Sequence, residues 1–404
     1  MSGSGRQSGR LWTKDFVLAI AVNLFISMVF YLLMTSMALY AVERFRASDT
    51  LAGLASSSFI IGSVFARVFA GWLLDVVGRR RLLLAALLVF VAASLLYIPA
   101  GSLPILLALR IIHGMAFGAG STAVAASVQA LIPPARRSEG TGYFGLSTTL
   151  SIALGPFLAV LLSAGGSYAG LFFFCAACSV AAFLIALAIR LPELPRRRAG
   201  SGRKRGTGRR RISLAAVLEP GALPVSTVIL VCGVAYSGFL AFLTSYALEQ
   251  GIASAASMFF LVYAVAVLVS RLFVGRIHDR RGDNAIIYPA LAVFAVGLGL
   301  LALEPAVWSI AAAGALSGLG FGSLTPSIQA IAVTEAPEMR LGTATSTFYL
   351  MLDLGVGVGP VVLGALLPLT GYPGMFGSLG ALVLAAVVLY YVAHGRKHRP
   401  PRAA

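Results

Sequence analysis

Gly71-Trp72-Leu73-Leu74-Asp75-Val76-Val77-Gly78-Arg79-Arg80-Arg81 reads as the end of an apolar helix, a glycine turn and a burst of positive charge. A second copy runs from Gly275 to Asp283 and repeats both glycines and the aspartate at a constant offset of 204. Working outward in that register, Arg67 meets Arg271, Phe69 meets Phe273, Gly114 meets Gly318, and Phe117 with Gly118 meet Phe321 with Gly322. Arg136 then pairs with Arg340, and Gly155 with Pro156 pairs with Gly359 and Pro360. Matched Arg, Asp and Pro in one ungapped register are hard to obtain by chance, so the chain is an internal repeat.

Hydrophobic residues make up 59% and charged residues 11% of the 404 positions, too few charges to coat a soluble protein of this size. Its solvent is therefore mostly lipid, and a helix crossing a hydrocarbon core of about 30 Å needs roughly 20 apolar residues. Such segments run from Asp15 to Tyr40, Leu51 to Leu74, Leu82 to Ala100, Pro104 to Leu131, Gly140 to Leu162 and Ala169 to Ile189. Six more follow: Leu223 to Leu248, Ser254 to Ile277, Ala285 to Leu303, Ala306 to Val333, Gly342 to Leu367 and Gly374 to Ala393. The fold class expected is an all-α membrane protein with 12 transmembrane helices in two parallel six-helix repeats. Residues 1–190 form the first half, 191–213 a basic linker and 214–404 the second half.

The net charge of +17 does not imply nucleic acid, because the basic residues sit in short clusters between apolar runs. Arg6, Arg10 and Lys14, then Arg79 to Arg81, then the clusters from Arg196 to Arg211 all fall on one side if the helices alternate. By the positive-inside rule that side, with both termini, is cytoplasmic, and the cell membrane is the expected location. Short polar links such as Ala100 to Pro104, Ala164 to Ser167 and Gly371 to Pro373 lie opposite. The first apolar segment is expected to be retained as a helix rather than cleaved as a signal peptide. Cys175, Cys178 and Cys232 lie inside apolar segments and read as packing, not as a metal or redox site. Four histidines, with His394 and His398 at or beyond the last helix, offer no hydrolytic cluster, so no enzyme, metal or cofactor is expected. A G-x-x-x-x-G-K-[ST] loop is also missing, so direct use of ATP is not expected.

The stretch from Gly71 to Arg81 resembles the signature of the major facilitator superfamily between its second and third helices, G-x-x-x-D-x-x-G-R-[KR]. The resemblance covers nearly the whole chain and implies a transporter whose halves rock about a central site. It assigns a conformational latch to Gly71, Asp75, Gly78, Arg79 and Arg80, repeated at Gly275, Asp279 and Gly282. Asp75 would face the positive N-terminal end of the eleventh helix and Asp279 that of the fifth. Asp283 replaces the first arginine in the second copy, which predicts a weaker latch there.

Arg67, Gly71, Asp75 and Gly78 stripe one face of the second helix, as Asp353, Gly357, Pro360 and Gly364 stripe the eleventh. Asp353, about 10 residues or roughly 15 Å from its helix end, is the only acid near mid-membrane. Ionisable groups at that depth are costly unless paired, which predicts that Arg67 is its neighbour. Asp353 and Arg67 are thus candidates for proton coupling. Arg110 and His113 join them by resemblance, since Arg110 to Gly114 is similar to the family's fourth-helix motif, R-x-x-x-G. Gly145, Gly155 and Pro156 partly resemble the fifth-helix pattern of exchangers that export solute. The resemblance also implies that the first, fourth, seventh and tenth helices line a cavity, with Asn23, Tyr31, Arg110, Gln129, Tyr236, Tyr246 and Gln329 contributing. The expectation is proton-coupled efflux of a drug-like or metabolite molecule by a monomer, with uptake of a sugar, organic acid or other nutrient as the alternative. The partners expected are a small-molecule substrate, protons and the lipid bilayer.

Overall fold

A computed structural model describes residues 11–47, 49–163, 168–191, 218–303 and 306–396. The two termini, the Ala164 to Ser167 link and nearly all of the basic linker lie outside the described residues. The first half contains α1 (Lys14–Phe45), α2 (Asp49–Val77), α3 (Arg79–Leu96), α4 (Leu103–Leu131), α5 (Arg137–Ser163) and α6 (Ala169–Ala188). In the second are α7 (Leu223–Glu249), α8 (Ala253–Arg281), α9 (Asn284–Leu303), α10 (Val307–Thr334) and a 50-residue helix, Leu341–Tyr390. That helix breaks at Gly371, whose φ of 64° and ψ of 177° suit glycine alone, into α11 (341–370) and α12 (372–390). Twelve helical rods result, and no strand occurs among the described residues. Where a polar link from Gly371 to Pro373 is expected, the structure has a one-residue break instead. Pro373 fits directly after it because a helix's first turn needs no proline N–H.

Nine of the described helices contain a stretch long and apolar enough to cross a membrane. The helices that fall short are α3, which opens with three arginines, α5, and the first part of α11. Both α5 and α11 are rich in Gly, Ser and Thr, and they are the helices that meet the opposite half: α5 contacts α8 and α10, while α11 contacts α2 and α4. A helix packed against protein does not need a lipid-like surface.

Within each half the same contacts recur. The α2–α4, α1–α5, α3–α4 and α3–α6 contacts are repeated as α8–α10, α7–α11, α9–α10 and α9–α12. Small residues make the close crossings possible, since a methyl group added at Gly318 would stand 2.5 Å from the Tyr263 carbonyl oxygen. Each half has its own apolar core, and Tyr349 of α11 packs against both. The glycine turns that close the two signature stretches have positive φ, 100° at Gly78 and 82° at Gly282, which explains a glycine at that place in both copies.

Candidate functional site

The end of the bundle that carries the two glycine turns, here the motif end, is where the halves are clamped together. Asp279 at the end of α8 accepts hydrogen bonds from the Ser138 and Glu139 backbone N–H groups, each 2.9 Å away. Those donors belong to the first turn of α5, where N–H groups lack intrahelical partners and the helix dipole is positive. Gly275, one turn earlier, lets α8 approach so closely that a methyl group there would lie 2.5 Å from Glu139 Cα. The Glu139 carboxylate is gripped in turn by Arg136 Nε at 2.6 Å and by Arg276 Nε at 2.7 Å, and Arg276 also donates to the Tyr143 hydroxyl at 2.7 Å. The Arg136 hydrogen bond, reinforced by Arg276 against the effect of burial, holds Glu139 down to about 2.

The other arm of the repeat is built from α2 and α11. Gly71 lies against α11 so tightly that a methyl group would stand 2.7 Å from both Thr343 Cα and Ser346 Cβ, and the Ser346 hydroxyl donates to the Arg67 carbonyl. Arg79 is buried, and Arg80 donates to the Leu187 carbonyl at 3.0 Å, tying the loop to α6. The side chain of Asp75 lies outside the described residues. Asp283 does not simply weaken the second copy: its carboxylate bridges His278 and His394, 2.7 Å to each Nε2, and so joins α8 to the segment after α12. Burial pushes this carboxyl up, but the two imidazole bonds outweigh it and hold Asp283 below the usual carboxylate range.

Further from the motif end, Arg67 Nε stands 3.1 Å from Asp353 Oδ2, with side-chain exposures of 6% and 23%. Arg67 also reaches Ser63 Oγ at 3.3 Å and Ser121 Oγ at 3.4 Å, and its guanidinium carbon lies 4.8 Å from the centre of the Tyr349 ring. Tyr31 of α1 and Tyr349 lie within electrostatic reach of both members of this pair. Tyr236 stacks on Phe321 at 4.5 Å, and the Gln329 amide lies close to the Tyr349 hydroxyl. One turn beyond Asp353, a methyl group at Gly357 would meet nothing within 4 Å, so the interface that is tight at Gly71 has opened there.

Several expected residues have other surroundings. Arg110 is wholly buried inside the first half, donates from Nε to the Ala55 carbonyl at 2.8 Å and lies 4.8 Å from the Phe59 ring. His113 sits between Ser94 and Tyr97, at 3.2 and 3.1 Å. Ser121, which touches Arg67, is roughly 16 Å further along the same helix than Arg110, so the structure does not join Arg110 to the Arg67–Asp353 pair. Of the expected cavity residues, Asn23 donates to Ser147 and Thr148 of α5, Gln129 donates to Thr141, and Tyr246 is buried against Tyr372 and Phe376. Polar groups on lipid-embedded helices take partners from neighbouring helices, and polarity alone does not distinguish that use from a cavity wall. Gly155 packs on Tyr31, and the side chain of Pro156 lies outside the described residues. Gly145 underlies the Arg271 guanidinium, and a methyl group there would lie 2.6 Å from Nη1.

Tyr31, Tyr236, Gln329, Arg67 and Asp353 therefore converge, and Tyr349, Tyr263 and Arg271 join them without having been singled out as site residues. The signal for Tyr349 was available, because the 204 offset pairs it with Gly145. Cys175, Cys178 and Cys232 are buried free thiols, and no three or more His, Cys, Asp or Glu side chains are arranged to hold a metal ion among the described residues.

The sequence profile of the Major Facilitator Superfamily matches residues 19–307 and 286–404. An uncharacterized MFS-type transporter of Methanocaldococcus jannaschii is 24% identical over 389 residues, covering 95% of this chain and 96% of its own. The arabinose-proton symporter of Bacillus subtilis is 29% identical over 126 residues, 31% of this chain and 27% of its own. Among solved structures, the human organic anion transporter MFSD10 superposes with a TM-score of 0.80 at 19% identity, covering 93% of this chain and 98% of that one.

Proposed function

The chain belongs to the major facilitator superfamily and is a secondary transporter, and on that premise we propose that it couples a small molecule's movement to protons through Asp353. The observation that carries this reading is the Arg67–Asp353 pair, 3.1 Å apart, which joins the two halves part-way through the bundle. Rocking that separates α2 from α11 separates the pair. A carboxylate deprived of its guanidinium at that depth is better off protonated, and re-forming the pair expels the proton. Arg67, Tyr31 and Tyr349 are the charged and titratable groups that face it.

The motif end is assigned to the cytoplasmic face of the cell membrane, because Arg79 to Arg81 lie at that end. The clamps at Gly71 and Asp279 then make this a state closed toward the cytoplasm, and a single chain carries both arms of the clamp. Transport of the substrate together with the proton is the mode we assign, since loading of Asp353 frees Arg67 for a ligand. The partial likeness to a proton symporter is in keeping with it. Export is the second reading and rests on the fifth-helix pattern of Gly145, Gly155 and Pro156, although both glycines also have packing duties.

The test is flux in proteoliposomes under an imposed proton gradient, with lipophilic cations, zwitterions and organic anions offered in turn. Wild type is expected to accumulate a compound against its gradient, and Asp353→Asn to lose that accumulation while retaining passive exchange. Gradient-driven accumulation by the Asn variant at the wild-type rate would remove Asp353 from coupling.

A further inference from the structure

The repeat supplies two arginines in equivalent positions, Arg67 on α2 and Arg271 on α8, but it equips only one of them with partners. Around Arg67 stand Ser63, Ser121, the Tyr349 ring and the Asp353 carboxylate. The same register places Val267, Thr325, Gly145 and Thr149 around Arg271. Glycine stands where the ring would be, and threonine where the carboxylate would be. Thr149 and Thr325 turn their hydroxyls back to the carbonyls of Gly145 and Phe321 on their own helices. Arg271 has no hydrogen bond or ion pair among the described residues, and its Nε is buried without a partner.

Two further donors in the same neighbourhood are unsatisfied. Arg67 Nη1 and Gln329 Nε2 are buried and unpartnered, and Tyr349 links all three residues: it stacks under Arg67, lies close to the Gln329 amide and is within electrostatic reach of Arg271. Both arginines and Gln329 are thereby gathered about a single ring. Buried donors are normally paired, and a cation without a counter-charge inside a membrane-spanning bundle is expensive. Asp353 neutralises one of the two arginines and leaves a surplus positive charge. The wall around it is aromatic, with Tyr31 within electrostatic reach of Tyr236, Tyr263 and Tyr349, and Tyr236 of Tyr263.

The geometry points to Arg271, seated on Gly145 and assisted by Gln329, as the binding site for the anionic group of the substrate: an organic anion with a carboxylate and an apolar or aromatic body. The guanidinium fork matches a carboxylate in two parallel hydrogen bonds, Gly145 lets it seat directly on α5 with neither the ring nor the carboxylate that Arg67 has, and the tyrosine wall suits the rest of the molecule. Because Arg271 comes from the second half and Gly145 from the first, a bound anion would touch both halves, as a transported solute must. This deepens the proposed function and rests on the chain's being a transporter, but it does not depend on which residue carries the proton.

The experiment is equilibrium binding to the purified full chain, read as ligand-induced thermal stabilisation, with a panel of aromatic and aliphatic carboxylates, their methyl esters and tetraphenylphosphonium. At least one carboxylate is expected to stabilise the wild type while its ester does not. Arg271→Gln is expected to weaken that binding about tenfold or more, and Arg271→Lys to recover part of it. Thr149→Asp gives Arg271 the partner that the other arm already has, so it should fold at least as well as wild type and lose anion binding. Three results would overturn the proposal: no carboxylate binds, the ester binds as well as the acid, or Thr149→Asp binds the anion undiminished. Anion binding of this pattern without gradient-driven flux would sink proton coupling and leave the anion site standing. The reverse pattern would do the opposite.

Discussion

At the scale of single residues, the molecule uses one chemical device, an arginine near the middle of a helix, in two ways. Arg67 is partnered by Asp353, so removing either member alone leaves a buried charge exposed to its own desolvation cost, a loss on the order of 3–5 kcal/mol. Arg67→Gln and Asp353→Asn are therefore each expected to lower the thermal midpoint, and the double variant to recover most of it without recovering proton-driven flux. Equal stability of the single and double variants would mean that the pair is not formed in the membrane. Pairing was legible in the sequence, since an acid and a base at similar depth on facing glycine stripes have few alternatives. That Arg271 lacks such a partner was harder to read. It shows only when the 204 register is followed through positions that differ, where Gly145 answers Tyr349 and Thr149 answers Asp353.

At the scale of helices, the motif end works by helix termini. Asp279 satisfies two N–H groups of the first turn of α5 from another half of the molecule, a capping contact made across an interface. Loss of such a cap costs about 1 kcal/mol, which shifts a two-state opening by roughly fivefold. Asp279→Ala should raise the reactivity of a cysteine placed at Ser138 toward a membrane-impermeant thiol reagent by about that factor. The three native thiols are buried and should contribute little background. Glu139, whose ordinary value is 4.5, is held at about 2, so its contribution to the clamp is complete above the ordinary value and lost only as the pH falls toward about 2. Once corrected for the thiolate fraction, which falls about tenfold per pH unit below the thiol's pKa, the reactivity of that cysteine is thus expected to stay flat from pH 8 to 5, and a rise centred near the ordinary glutamate value would show that the two arginines do not hold Glu139.

Hydropathy located all twelve rods but missed how α11 runs into α12, because glycine and proline signal a loop and a one-residue break alike. Nor does it reveal which way a helix is turned. Arg110 and Arg67 carry the same charge on neighbouring helices, yet one is absorbed by the Ala55 carbonyl and the Phe59 ring while the other crosses to the second half.

At the scale of the whole molecule, two separate cores meet through glycine-on-backbone contacts, hydrogen bonds and ion pairs, with Tyr349 as the ring shared by both. Cysteines at Arg137 and Thr334, whose side chains meet at 3.1 Å between α5 and α10, should hold the motif end shut when joined by a short reducible bis-thiosulfonate linker. Transport is expected to stop on crosslinking and to return on reduction, and flux that continues through the locked protein would exclude opening at that end.

The polar make-up of the clamp also has a calorimetric consequence. Heat-capacity changes follow apolar surface passing into water, and hydrogen bonds or glycine contacts bring little of it with them. Opening one end of this bundle while the other closes should therefore proceed with a heat-capacity change near zero. The equilibrium between the two conformations would then give a straight van't Hoff plot across the growth range, even though unfolding of either half would give a strongly curved one.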